Sequence, residues 1–186
     1  MTLSKGFFLG SIIGGFGLAM LLLIIGVIAA AASGGSRSGA EGALGIIFLA
    51  YVPMLYGAIV VMVLIYKMWS AIQDGYARAT PGKALGFCFI PFFNFYWLFQ
   101  VYYGFAKDYN AYIQRHNISV APLPEGLFLT VCILTLTTWI PLLGVLLALV
   151  NVVLMIIMVS KICDAVNAIA GKVAAAPAPA GGFAAS

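Results

Sequence analysis

The chain has 186 residues, of which 64% are hydrophobic and only 8% charged, against roughly 25% charged in a soluble domain. A water-soluble fold of this size cannot cover so much apolar surface, so a soluble globular protein is excluded and an integral membrane protein is implied. The net charge of +4 comes from nine Lys/Arg against five Asp/Glu scattered singly. That is too sparse for nucleic-acid binding and suits charges that orient helices in a bilayer.

The first predicted element is a span over about 6–32. The small-residue string AAAASGG that closes it invites a signal-peptide cleavage. Its apolar run of 26 residues, however, exceeds a signal core of about 7–15 residues and is long enough to cross with tilt. Gly6, Gly10 and Gly14 recur at four-residue spacing, with Ser11, Gly15 and Ala19 alongside, and form a candidate helix-packing face, because small residues let another backbone approach closely.

A polar loop over 33–42 precedes the second span, about 43–66, where Pro53 predicts a kink rather than a break. Lys67 and Trp69 read as an interfacial cation-and-aromatic anchor. Asp74-Gly75 and Pro81-Gly82 mark turns. Gly82-Lys83 lacks the spacing and the hydroxyl of a phosphate-binding loop.

The stretch Pro81–Asn110 holds 12 of the 25 aromatic residues. It can be threaded two ways. Crossing fully over 84–106 would split the cations between the two sides. Dipping in and returning at Pro91–Asn94, or lying in the interface, puts eight of the nine on one side and leaves only Arg37 opposite. The positive-inside bias favours the second threading and places both termini in the cytoplasm. Pro91 and Asn94 supply the turn chemistry for such a re-entrant element. Tyr96, Trp97, Tyr102 and Tyr103 join Trp69 and Trp139 as candidate interface anchors, with polar tips in the headgroups.

From Gly126 to Ile162 runs an apolar region of 37 residues, too long for one crossing, since about 20 suffice. Trp139, Pro141 and Gly144 break it into a short third span, about 127–140, and a fourth, about 142–160. The membrane domain thus covers 1–173, and 174–186 is an Ala/Pro low-complexity tail. The fold class is all-α: a polytopic bundle of four transmembrane helices plus a proline-broken aromatic element.

Trp69 followed by Thr80-Pro-Gly-Lys-Ala-Leu-Gly-Phe-Cys-Phe-Ile-Pro-Phe-Phe-Asn-Phe-Tyr-Trp97 resembles the signature of small bacterial multi-helix membrane proteins grouped as a domain of unknown function. Those proteins place a Pro-x-x-Ala-x-Gly…Phe-Ile-Pro-Phe-x-Asn motif between two helical pairs. The resemblance covers roughly 43–167. It implies the fold and a bacterial cytoplasmic-membrane location, and carries no activity.

Candidates for chemistry are few. Cys88, Cys132 and Cys163 each sit alone in apolar runs, as small core residues do. His116, in the polar segment QRHN, reads as a solvated residue. Asp74, Asp108 and Asp164 lie beside cations just outside the apolar runs, where carboxylates form ion pairs more often than they catalyse. No catalytic, cofactor-binding or metal-ligating set is expected, and no cofactor. Within the apolar regions Asn94 and Asn151 stand out, either as interhelical hydrogen-bonding groups or as the lining of a polar path. The expected partners are the lipid bilayer and another membrane protein or a second copy, with no nucleic acid. Two functions follow: a non-enzymatic helix-packing subunit or scaffold and, as the alternative, a small channel or transporter using the Pro91–Asn94 turn.

Overall fold

The computed structural model describes residues 2–138, 140 and 143–175. Among these residues the chain is helical and contains no strand. Its elements are α1 (Lys5–Ala32), α2 (Arg37–Ser70), α3 (Pro81–Gly86) with a 3₁₀ turn at Phe87–Phe89, α4 (Phe93–Leu98), a π-helical turn (Phe99–Tyr103), α5 (Gly104–Arg115), α6 (Glu125–Thr137) and α7 (Leu143–Ala175). Three of them, α1, α2 and α7, are long and apolar enough to cross a membrane. The expected anchor Trp139, the turn residue Pro141 and the tail beyond Ala175 lie outside the described residues.

Two compact units divide the chain. Ser4–Lys67 forms a helical hairpin. Ser4 opens α1 by accepting the Phe7 N–H at 3.3 Å, which satisfies one of the orphan donors of the first turn. Gly34 and Gly35, with φ of 58° and 82°, make the left-handed turn into α2. α2 continues through Pro53 without interruption. A Cβ at Gly15 would lie 2.9 Å from the Pro53 carbonyl oxygen, and one at Gly26 would lie 2.6 Å from Ile47 Cγ1. These pairings make the helices antiparallel, and only glycine permits such contact. Ser11 and Tyr56 add a hydroxyl pair at 2.9 Å.

The second unit joins Met1–Leu3 to the chain from Met68 onward. Trp69, Phe105, Tyr109, Phe128, Met158 and Ile162 are all within 2% of complete burial and form its core. The Trp69 ring meets Phe105 edge to face at 5.7 Å, a favoured aromatic geometry. α6 and α7 run antiparallel: a Cβ at Gly144 would lie 2.5 Å from the Thr138 carbonyl oxygen, and Asn151 Nδ2 donates to Thr135 Oγ1 at 3.4 Å. α5 lies against the polar half of α7, where the Tyr109 hydroxyl donates to the Ala165 carbonyl at 3.4 Å.

One expectation is corrected. Pro81-Gly82 opens a helix instead of making a turn: Thr80 accepts the Lys83 N–H at 3.3 Å, with Pro81 at the position where its missing donor costs nothing. The short third span expected over about 127–140 corresponds to α6 of 13 residues, about 20 Å long against a hydrocarbon core of about 30 Å. A single straight helix over 84–106 is ruled out, because the Trp97 indole N–H donates to the Ala84 carbonyl at 3.0 Å. In one helix those residues would stand about 20 Å apart.

Candidate functional site

The aromatic stretch folds back on itself. α3 and the 3₁₀ turn lead to Ile90–Phe92, and α4 returns. Phe87 packs edge to face on Trp97 at 4.7 Å, and Phe93 stacks on the same indole at 5.6 Å. With its N–H on Ala84, Trp97 is thus the pin of the hairpin. The turn itself is tight: Phe93 N–H meets Pro91 O at 2.7 Å and Asn94 N–H meets Ile90 O at 3.0 Å. Closing it puts Phe92 at φ 61°, a conformation that costs a bulky residue about 1–3 kcal/mol and persists only where the surroundings impose it. Phe92 is also 85% exposed and Phe89 64% exposed. A strained, outward-pointing phenylalanine therefore forms the tip.

Beneath the tip lies a polar strip. Tyr96, Gln100, Gly104 and Asp108 recur every four residues along α4, the π turn and α5, which aligns them on one helical face. Arg78 is laid along this strip. Its Nε donates to Asp108 Oδ1 at 2.9 Å, its backbone N–H to Asp108 Oδ2 at 2.8 Å, and its Nη1 to Gln100 Oε1 at 3.2 Å. Gln100 Nε2 then donates to the Tyr96 hydroxyl at 2.8 Å. Gly104 provides the bed: a Cβ there would lie 3.1 Å from Arg78 Cδ and Nη1.

A second polar knot closes the end of α5. Asp74 Oδ2 accepts from Arg115 Nε at 3.0 Å and Nη2 at 2.7 Å, and lies 3.3 Å from His116 Nε2. Its Oδ1 accepts the Tyr76 N–H at 3.0 Å, the local turn expected of Asp-Gly. Desolvation pushes the Asp74 carboxyl up, but the hydrogen bonds from Arg115, Tyr76 and His116 and the Arg115 charge outweigh it. The group is held below its ordinary value of 3.8.

The expected site residues fall into three groups. Gly6, Gly10 and Gly14 are exposed, with nothing within 4 Å of an added Cβ. They do not pack the hairpin; Gly15, Ala19 and Gly26 do. Pro91 and Asn94 are exposed at the turn, whereas Asn151 is buried between α6 and α7. Its Nδ2 reaches Thr135, and its Oδ1 has no hydrogen-bond partner. The anchor reading is corrected for Trp69, Trp97 and Tyr102. They are 0%, 9% and 7% exposed, and the two indoles spend their N–H groups inside the protein, Trp69 on the Val101 carbonyl at 3.3 Å and Trp97 on that of Ala84. Tyr96 is exposed, and Tyr103 is half-buried beneath the Lys107 ammonium at 4.5 Å.

Sequence reasoning missed two asparagines. Asn110 exchanges both hydrogen bonds with Leu123, donating to its carbonyl at 3.0 Å and accepting its N–H at 2.8 Å. Asn167 does the same with Leu3, accepting at 2.5 Å and donating at 2.8 Å. Each side-chain amide substitutes for a backbone partner and pins a distant leucine. Comparison with profiles of known protein families, with curated proteins and with solved structures finds no match for this chain.

Proposed function

We propose that the chain is a non-enzymatic, multi-pass membrane protein that serves as a helix-packing subunit or scaffold for another membrane protein. One observation carries this reading. At roughly 100° per residue, Gly6 and Gly10 lie about 150–170° and Gly14 about 110° around α1 from the Gly15–Gly26 stripe, and each borders open space. One small-residue face of α1 is used against α2, and the opposite one is left for a further helix to approach.

Connectivity supports four crossings. Lys67 lies 5.9 Å over the Phe8 ring, so α2 ends where α1 begins. The charge bias that puts both termini on one side asks for an even number of crossings, and α1, α2 and α7 make three. α6 supplies the fourth as a short helix matched by local thinning of the bilayer. Both termini then face the cytoplasm with eight of the nine cations, and the aromatic hairpin over 84–106 meets the bilayer through Phe89 and Phe92. The resemblance carried by Thr80–Trp97 points to the cytoplasmic membrane of a bacterium. The channel alternative draws less support, because Pro91 and Asn94 face outward at the turn.

The test is a photoactivatable residue placed at Ile13, which is 49% exposed beside the open glycines, with a second at Leu49 on α2 for comparison. Irradiation of native membranes is expected to yield a discrete protein adduct from Ile13 that Gly10→Leu abolishes. Adducts to lipid alone at both positions would contradict the reading.

A further inference from the structure

The geometry points to a binding site for a phosphate-bearing anion in the groove between the end of α5 and the last turns of α7. This groove, about 450 Å³ in volume, is lined by Tyr112, His116, Ile118, Ser119, Lys172 and Val173, with Asn117 at its floor. That is room for a headgroup-sized ligand.

Its floor is preorganised. α5 ends in a Schellman turn: Asn117 takes φ 50°, its N–H meets Gln114 O at 3.2 Å, and Ile118 N–H meets Ile113 O at 2.9 Å. The turn presents Ser119 and fixes Ile118 as one apolar edge. The imidazole of His116 is held on two sides, by the Tyr112 ring at 4.5 Å and by Asp74. Asp74 does not set the charge of the groove, because Arg115 already engages it through two nitrogens.

The surplus charge belongs to Lys172, which among the described residues has no carboxylate partner. A lysine ammonium, a serine hydroxyl and a tyrosine hydroxyl together suit a phosphate, whose oxygens accept from each. Ile118 and the exposed Val173 add an apolar rim that fits the carbon portion of a phosphate ester. The ligand is the headgroup of an anionic phospholipid or a soluble phosphate; the recognition chemistry is shared.

Two titrations of the full-length protein in non-ionic detergent micelles, read by native mass spectrometry, separate these sources. One uses phosphatidic acid and the other inorganic phosphate. Lys172→Gln is expected to weaken binding about tenfold, as loss of a charge-assisted hydrogen bond does, and Ser119→Ala by a few-fold. Lys161→Gln, an exposed cation of α7 outside the groove, is expected to leave binding unchanged. Groove-dependent binding of phosphatidic acid alone assigns a lipid, whereas equal binding of inorganic phosphate assigns a soluble ligand. Equal loss in Lys161→Gln and Lys172→Gln, no loss in either, or no binding by the wild type overturns the proposal.

Discussion

The hairpin of Ser4–Lys67 and the unit built from Met68 onward solve the same packing problem with opposite materials. The hairpin is apolar along both helices, and what fixes its register is the absence of side chains: Gly15 against Pro53, Gly26 against Ile47, and Gly57 against Phe16. The other unit is fixed by large and polar groups. Trp69 and Trp97 bury their rings and place their N–H groups on carbonyls, and Asn110 and Asn167 clamp leucines distant in sequence. In a membrane, where burial against lipid gains little, close approach and hydrogen bonding are the two sources of specificity. This chain weights them differently by region, although Ser11 and Tyr56 bond within the hairpin and Gly144 approaches Thr138 closely in the other unit.

Substitutions can break that contrast, beginning with the largest effect. Trp69→Ala removes a fully buried indole together with its hydrogen bond and is expected to cost about 3–5 kcal/mol. Thermal denaturation followed by size-exclusion chromatography should show loss of most folded protein, with Trp69→Phe falling between the two. Gly15→Leu overpacks a contact that has no slack and should cost about 1–3 kcal/mol, seen as a lower midpoint in the same assay. Gly14→Leu, one residue away on the open face, should change that midpoint by less than about 0.5 kcal/mol. Similar losses in both would erase the distinction between the two faces.

Smaller effects sharpen the account of the polar unit. Asp108→Asn keeps the shape but removes the charge facing Arg78, and a cost of about 1 kcal/mol is expected because the guanidinium is partly exposed. The Asp74 knot gives a pH dependence. Its carboxyl is held below the ordinary 3.8, so its stabilisation is present above that value and is lost as pH falls through the depressed one. The difference in melting temperature between wild type and Asp74→Asn should be constant at neutral pH and vanish in strong acid. A difference that persists there would contradict the ion-paired assignment.

The long helices were legible because composition and length suffice for them. α1 was expected within a residue of where it lies and Pro53 was tolerated inside α2, but α2 starts at Arg37, six residues before the expected 43 and inside the segment read as a polar loop over 33–42. The phase of α1 was not legible. A helix apolar all round carries no hydrophobic contrast to show which small residues pack, so Gly6, Gly10 and Gly14 stood out by spacing with Gly15 and Ala19 only alongside, while Gly15, Ala19 and Gly26 are the ones buried. Trp69 was misread for a related reason: a tryptophan beside a lysine at the end of a span is the pattern of an interface anchor, and only the fold shows its N–H spent on Val101. Thr80-Pro81 was a helix-start signal that could have been read. Asn110 and Asn167 could have been suspected as polar residues within otherwise ordinary helices, but their leucine partners lie 13 and 164 residues away in sequence.

The most direct test of the open face is native mass spectrometry of the full-length protein extracted from its own membranes in mild detergent, with Gly10→Leu and Gly14→Leu alongside. The account predicts a defined protein partner, or a second copy, on the wild type that both variants lose while remaining folded. A bare monomer carrying only lipid in all three, or a partner retained equally by the variants, would contradict it.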